Sequence, residues 1–281
     1  MKIGLLSGRK AWGIKFLNFR SSSFLIFKKI QMNKTALITG ATSGIGKATA
    51  QLLAKNNFNV ILCGRREDRL EELAQELGSI TQVHTLCFDV RDKESVSNQI
   101  SSLPAAFSTI DVLINNAGNA HGLDPIQTGS LDDWDAMIDI NVKGLLYVSK
   151  AIIPSMIAKK SGHIINIGSI AGKEVYPNGN VYCASKHAVD ALNQAMRIDL
   201  NPFGIRVGAI HPGAVETEFS EVRFKGDTSR AASVYNGFEP LHAEDIADII
   251  HFVVTRPYHV NIGDLLVLPT AQAAATILKR D

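Results

Sequence analysis

Tyr182 and Lys186 stand four residues apart in Tyr182-Cys183-Ala184-Ser185-Lys186. On a helix that spacing places them one turn apart on the same face. A free phenol with a pKa near ~10 is a poor acid–base group at neutral pH. An ammonium held close favours the phenolate and lowers that pKa, so that the tyrosine can exchange a proton with an alcohol or a carbonyl. Tyr and Lys are common residues, and pairs at this spacing occur on many solvated helices. The pair gains meaning only from what accompanies it.

The companion lies far upstream. Thr35-Ala36-Leu37-Ile38-Thr39 is a short apolar, β-prone run, and Gly40-Ala41-Thr42-Ser43-Gly44-Ile45-Gly46 follows it. Ala48, Ala50, Leu52, Leu53 and Ala54 then give helical character. Strand, glycine-rich turn and helix together predict a phosphate site. The glycines allow a tight turn and close backbone approach, and the helix N-terminus offers unpaired N–H groups to a pyrophosphate.

With these residues stands a series in fixed order: Asn115-Asn116-Ala117-Gly118, Ser169, the Tyr182–Lys186 segment and Pro212-Gly213. From about residue 34 to about residue 269 the chain resembles the short-chain dehydrogenase/reductase family, whose G-x-x-x-G-x-G spacing is met by Gly40, Gly44 and Gly46. Gly179-Asn180-Val181-Tyr182, the stretch from Thr217 to Asp227, and His259-Val260-Asn261-Ile262 are similar to the subgroup of NADP-dependent 3-hydroxy acid dehydrogenases. That subgroup includes L-allo-threonine and serine dehydrogenases, which also reduce malonic semialdehyde.

The resemblance implies roles residue by residue. Gly40, Thr42, Ser43, Gly44, Ile45 and Gly46 are expected at the cofactor phosphates. Asp89 and Val90 are expected at the adenine, and Asn116, Ala117 and Gly118 along the ribose. Pro212, Gly213 and Val215 are expected to grip the carboxamide through the backbone, with Thr217 on it or on the pyrophosphate. Tyr182 is implied as the acid in carbonyl reduction and the base in alcohol oxidation. Lys186 is implied to lower its pKa and to bind the nicotinamide ribose, and Ser169 to hydrogen-bond the substrate oxygen. Asn141 is implied to hold a water that relays protons from Lys186; outside the family it would be an unremarkable helical asparagine.

Where an NAD site would place an acid for the ribose 2′-OH, the chain has Arg65-Arg66. Two guanidiniums suit a 2′-phosphate by charge and forked hydrogen bonding, although a solvated pair opening the next helix would read the same way. NADP is therefore the expected cofactor. A 3-hydroxy acid also needs a cation or N–H donors near Ser169 and Tyr182. Arg223 and Lys225 are the candidates, unless they face solvent. No metal is expected, since the eight histidines show no paired-ligand spacing.

The elements that must position these residues follow from the apolar pattern. Strands are predicted at about 35–39, 58–63, 83–88, 110–114, 163–168, 204–210 and 264–268, alternating with helices at about 44–56, 67–77, 92–103, 131–158, 181–200 and 243–255. This βαβ rhythm predicts a single Rossmann-type α/β domain over residues 33–281, a doubly wound seven-stranded parallel sheet with helices on both faces. Residues 214–240 are mixed and rich in charge and Gly, and are expected to form a lid with short helices rather than a sheet element. Cys63 and Cys87 lie in strand-like runs and are expected in the core, and the odd count of three cysteines without CxxC spacing suits a reducing compartment.

The 281 residues are 46% hydrophobic and 20% charged, ordinary for an enzyme, and no apolar run approaches a membrane span. The net charge of +2 hides an asymmetry. Residues 1–31 carry seven Lys/Arg and no acid, which leaves 22 basic against 27 acidic residues in the remainder, about −5. The basic character thus belongs to residues 1–32, an arm expected to be poorly ordered, and nucleic acid is not an expected partner. The arm reads as a transit peptide, as a weak membrane-surface anchor, or as residues upstream of a start at Met32, the last being favoured. The expected enzyme is cytoplasmic, a homotetramer by family resemblance, with an apolar tail at Ala271–Ile277 suited to packing on a neighbouring subunit. The alternatives are a 3-oxoacyl-carrier-protein reductase or broad carbonyl reductase of the same fold and, remotely, a non-catalytic nucleotide-binding scaffold.

Overall fold

The structure is a computed structural model and describes residues 33–281. The basic arm, residues 1–32, lies outside the described residues. Among the described residues, seven strands form one parallel sheet: β1 (Thr35–Thr39), β2 (Asn59–Gly64), β3 (Val83–Cys87), β4 (Val112–Asn115), β5 (Gly162–Ile167), β6 (Ile205–Pro212) and β9 (Asp264–Val267). Their order is β3-β2-β1-β4-β5-β6-β9, so the winding reverses between β1 and β4. In such sheets the crevice beyond the strand ends at the reversal is where ligands bind.

The central strands are apolar on both faces because helices cover both. Ile38, Leu62, Ile114 and Ile165 pack toward α1 (Gly44–Lys55), α2 (Glu67–Gly78) and α9 (Ala243–Val254). Leu37, Ile61, Leu113 and Ile164 pack toward α3 (Lys93–Ser101), α5 (Leu145–Lys159) and α6 (Asn180–Leu200). Burial of each such side chain contributes roughly 1.5–3 kcal/mol, well above the ~0–1 kcal/mol of an exposed ion pair. The apolar alternation, which the sequence displays openly, therefore decides the fold.

Three features depart from the sequence reading. The helix predicted over 131–158 is α4 (Leu131–Ile138), a π-helical turn (Asp139–Gly144) and α5. A π turn inserts one residue without altering the apolar pattern, so hydropathy does not reveal it. Inside residues 214–240 lie α7 (Phe219–Arg223) and α8 (Thr228–Ser233), as expected, but the ends are fastened by a parallel pair, β7 (Val215–Glu216) and β8 (Leu241–His242). Cys87 is exposed at the end of edge strand β3, whereas Cys63 in β2 is buried. Among the described residues no helix is long and apolar enough to cross a membrane.

His163 is an expensive choice in β5. It is 1% exposed and neither ring nitrogen finds a hydrogen-bond partner among the described residues. Burial, aided by Arg206 and Lys34, lowers its pKa to about 3. The unfolded chain, with a histidine near ~6.5, therefore binds the extra proton first, and stability present above that value is lost as pH falls from about 6.5 toward 3, at up to ~1.4 kcal/mol per pH unit. Urea unfolding between pH 7 and 5 should show this loss, and His163→Leu should flatten it. An equally steep loss in the variant would assign the acid sensitivity to other groups.

Candidate active site

The site begins where β1 ends. Gly40 adopts φ +65° and turns the chain toward α1. A Cβ on Gly46 would fall on the Gly40 carbonyl oxygen, so helix and turn approach to a distance only glycine allows. Ser43 precedes α1 without a side-chain cap, and the first-turn N–H groups of a helix have no intrahelical partners. From β4, Asn116 Nδ2 donates to Thr39 O (2.9 Å) and Gly40 O (3.2 Å). Thr39 Oγ1 accepts from both Asn116 N and Ala117 N at 3.0 Å. These bonds lock the two strand ends side by side below a cleft of about 530 Å³.

Of the residues singled out by sequence, Gly40, Thr42, Ser43, Gly44, Ile45, Arg65, Arg66, Asp89, Val90, Asn116, Ala117, Gly118, Ser169, Tyr182, Lys186, Pro212, Gly213, Val215, Thr217 and Arg223 border this cleft. Gly46, Asn141 and Lys225 do not. Gly46 lies one layer beneath, against Gly40. Asn141 sits in the π turn behind Gly118, where its Oδ1 accepts from Asn119 N (2.9 Å) and its Nδ2 donates to Asn119 O (2.8 Å) and Ser185 Oγ (3.0 Å). It thereby ties the loop after β4 to helix α6. A Cβ on Gly118 would meet both Asn141 Oδ1 and Lys186 Nζ, so the three groups share one small volume.

Tyr182 and Lys186 lie on α6, 8% and 6% exposed, and Ser169 stands at the end of β5. Burial pushes the Tyr182 phenol well above its ordinary pKa, reinforced by Tyr176, while a hydrogen bond with Ser169 opposes it. Burial lowers the Lys186 ammonium to about 8. Lys186 Nζ donates to Ile167 O at 2.9 Å. At neutral pH the arrangement holds a protonated phenol and a charged lysine.

The cleft's other end is a charged cluster. Arg65 lies 3.5 Å from Asp89, whose nearer partner is Arg91 at 2.7 Å. Arg66 reaches back to the glycine turn, donating from Nε and Nη2 to Thr42 Oγ1 (3.2 and 2.9 Å) and from Nη2 to Ser43 Oγ (2.9 Å). Glu218 pairs with Arg66 at 3.0 Å and Arg69 at 2.7 Å. The sequence reading did not include Arg69, Arg91 or Glu218. Arg69 lies one turn past Arg66 on α2, a spacing that could have been noticed.

Arg223 projects from α7 into the cleft. Its Nε donates to Gly122 O (3.1 Å) and its Nη1 to Tyr176 Oη (3.2 Å), and its guanidinium carbon stands 5.7 Å from the centre of the Tyr182 ring. Lys225, the other expected anchor, points elsewhere: it is 63% exposed and pairs with Asp133 at 2.9 Å. Its backbone, at φ +54°, turns the side chain's origin past the end of α7. In the apolar tail, Ala271–Ile277, Gln272 and Ala275 bond their own chain, while Ile277 is exposed. Gln272 Oε1 accepts from Ala214 N (2.9 Å) and borders the cleft, and Arg280 donates to Val234 O and Asn236 O in the lid segment.

Behind Ser169 lies a second polar group. His211, fully buried, rests against Gly168 with Nε2 3.5 Å from Asp264 and 3.7 Å from Asp190. Lys173 Nζ bonds both carboxylates, at 2.6 and 2.9 Å. The ammonium offsets part of the charge of the two carboxylates, and the group braces the turn after Ser169 against α6 and β9.

Comparison with known proteins agrees with this geometry. The family model described as short chain dehydrogenase matches residues 34–227. The chain is 45% identical over 252 residues to sulfoacetaldehyde reductase 2 of Chromohalobacter salexigens, covering 89% of this chain and all of that protein. It is also 45% identical over 240 residues to the NADP-dependent 3-hydroxy acid dehydrogenase YdfG of Salmonella typhi, covering 85% and 96%. Among solved structures, the closed form of a serine dehydrogenase complexed with NADP+ superposes with a TM-score of 0.83 at 42% identity, over 88% of this chain and 99% of that one.

The buried lysine gives a direct test. Side-chain nitrogen NMR should show one lysine titrating near pH 8, a titration absent from Lys186→Met. A full set of ordinary titrations would mean that water reaches Lys186.

Proposed function

The chain belongs to the short-chain dehydrogenase family, and on that premise we propose that it is an NADP-dependent oxidoreductase acting on small 3-hydroxy acids. The substrates of this reading are L-allo-threonine, L-serine, 3-hydroxyisobutyrate or 3-hydroxypropionate, with malonic semialdehyde in the reducing direction. Residues 33–281 form the catalytic domain and 214–240 its lid. The observation that carries the reading is Arg223: the lid brings a guanidinium over the Tyr182 ring, in the cleft that Ser169 also lines.

The residues present fit NADP. The tight glycine turn would take its pyrophosphate at the N-terminus of α1. Arg65, 53% exposed and only loosely paired, would take its 2′-phosphate, with Arg66 beside it. When bound, the nicotinamide supplies or accepts the hydride. The protein's own residues do the rest. Ser169 holds the substrate oxygen, Tyr182 gives that oxygen a proton in reduction and removes it in oxidation, and Lys186 keeps the phenolate form within reach. Asn141 fixes the loop and helix that carry these groups. Arg223 grips the substrate's anionic end, and its stacking on tyrosine leaves Nη2 without a hydrogen-bond partner among the described residues.

A guanidinium fork accepts a sulfonate as readily as a carboxylate, which suits the 45% identity to a sulfoacetaldehyde reductase. Sulfoacetaldehyde is therefore the second substrate to try. The reading also includes a cytoplasmic homotetramer.

Initial rates with NADP and NAD against these acids, sulfoacetaldehyde and a neutral secondary alcohol test the proposal. Turnover of the acids with NADP, and little with NAD or the alcohol, is expected. Arg223→Ala should raise KM for the acids by about 10- to 100-fold, the worth of a lost charge-assisted hydrogen bond, with little change for a neutral ketone. Equal effects on both substrate types would remove Arg223 as the anchor.

A further inference from the structure

Glu218 is placed where a nucleotide phosphate would go. It follows Thr217 at the start of the lid segment, and its carboxylate is 41% exposed. Burial acts to raise its pKa, yet hydrogen bonds from Arg66 and Arg69 hold it below the usual carboxylate range, so at neutral pH it is an anion. One of its oxygens engages Arg66 and the other Arg69, at 3.0 and 2.7 Å. The remaining edge of the Arg66 guanidinium is spent on the hydroxyls of Thr42 and Ser43. Arg66 thus has four of its five N–H donors engaged, and the Nη1 group that carries the fifth is the one held by Glu218. Across the same end of the cleft, Asp89 engages Arg91 closely and Arg65 loosely.

The charge count has a consequence. Within the ion pairs, Arg65, Arg66, Arg69 and Arg91 meet Glu218 and Asp89, an excess of two positive charges that Asp68 and Glu72 near Arg69 and Asp139 near Arg91 reduce. A phosphate monoester carries about −1.5 to −2 at pH 7. Without Glu218 the cluster would carry one more positive charge and both Nη1 hydrogens of Arg66 would be free. With it, a phosphate competes with a carboxylate for the Nη1 edge of Arg66.

We propose that Glu218 is a built-in competitor for the 2′-phosphate: it occupies Arg66 and Arg69 and thereby sets how strongly the chain prefers a phosphorylated adenosine ribose over an unphosphorylated one. The inference rests on the reading of the cleft as an NADP site and names a residue that tunes it. Exposure makes Glu218 a mild competitor, since water screens the pairs it forms. It weakens the phosphorylated ligand without abolishing the preference, because Arg65 stays available.

Calorimetric titration of the full chain with 2′,5′-ADP and with 5′-AMP, for the native protein and Glu218→Gln, tests this without involving the nicotinamide or the chemistry. Gln keeps the size and one acceptor while removing the charge. The native protein should bind 2′,5′-ADP more tightly than 5′-AMP. Glu218→Gln should bind 2′,5′-ADP about three- to tenfold more tightly than the native protein does, leave 5′-AMP unchanged, and show a steeper loss of 2′,5′-ADP affinity with added salt. Unchanged or weaker binding of 2′,5′-ADP by the variant, with the native preference intact, overturns the role of Glu218 and leaves the cofactor reading standing. Tighter binding of both ligands also overturns it, since the effect would not be specific to the 2′-phosphate. No preference in the native protein removes the cofactor reading itself.

Discussion

The contact on which the cleft depends is the one between the ends of β1 and β4. Parallel strands that wind in opposite directions from a shared centre leave a gap where their following loops part. Here Asn116 and Thr39 close the bottom of that gap with backbone-directed hydrogen bonds from each strand to the other. The glycine turn, α1 and the loop from Ala117 to Asn119 are all anchored from this seam. If it opened, the turn at Gly40 and the loop at Gly118 would move independently, and the distance from the phosphate end of the cleft to Tyr182 would no longer be fixed.

The opposite wall is set by a different device. Asn141 uses an amide to hold the backbone of Asn119 from behind while touching Ser185 on α6. A regular helix would rotate residue 141 away from that position by about 100° per residue inserted or removed. The π turn supplies the offset. Dry surroundings then do the electrostatic work: the same burial that holds the Tyr182 proton on also loosens the Lys186 proton, and so widens the gap between two groups that differ little in free solution.

The sequence made the sheet, the glycine turn and the placement of Tyr182, Lys186 and Ser169 legible, because each rests on a local pattern: short apolar runs, closely spaced glycines, a four-residue spacing. What it hid depends on partners distant along the chain. Lys225 and Arg223 are two residues apart and chemically alike, yet one meets Asp133 and the other Tyr176. That choice is made by the end of α7, which no periodicity announces. Cys87 looked like core because its strand is apolar, but β3 is the sheet's edge and its last residue has no neighbour outward. Arg66 read as a free cation, whereas a carboxylate 152 positions later engages it. The π turn inserts a residue where hydropathy cannot count it.

The exposure of Cys87 makes the chain its own reporter. Its two other cysteines, Cys63 and Cys183, are buried, and the sulfur of Cys87 lies 3.8 Å from the carbonyl of Arg65, at the rim of the cleft. Burial and nearby Glu67 raise its pKa, so it is a sluggish thiol that spares itself from casual oxidation. A maleimide fluorophore would attach at that one position with no engineering of the remaining cysteines. Its emission would then follow traffic at the cleft's entrance in real time, separating the arrival of a nucleotide from the chemistry at the far end.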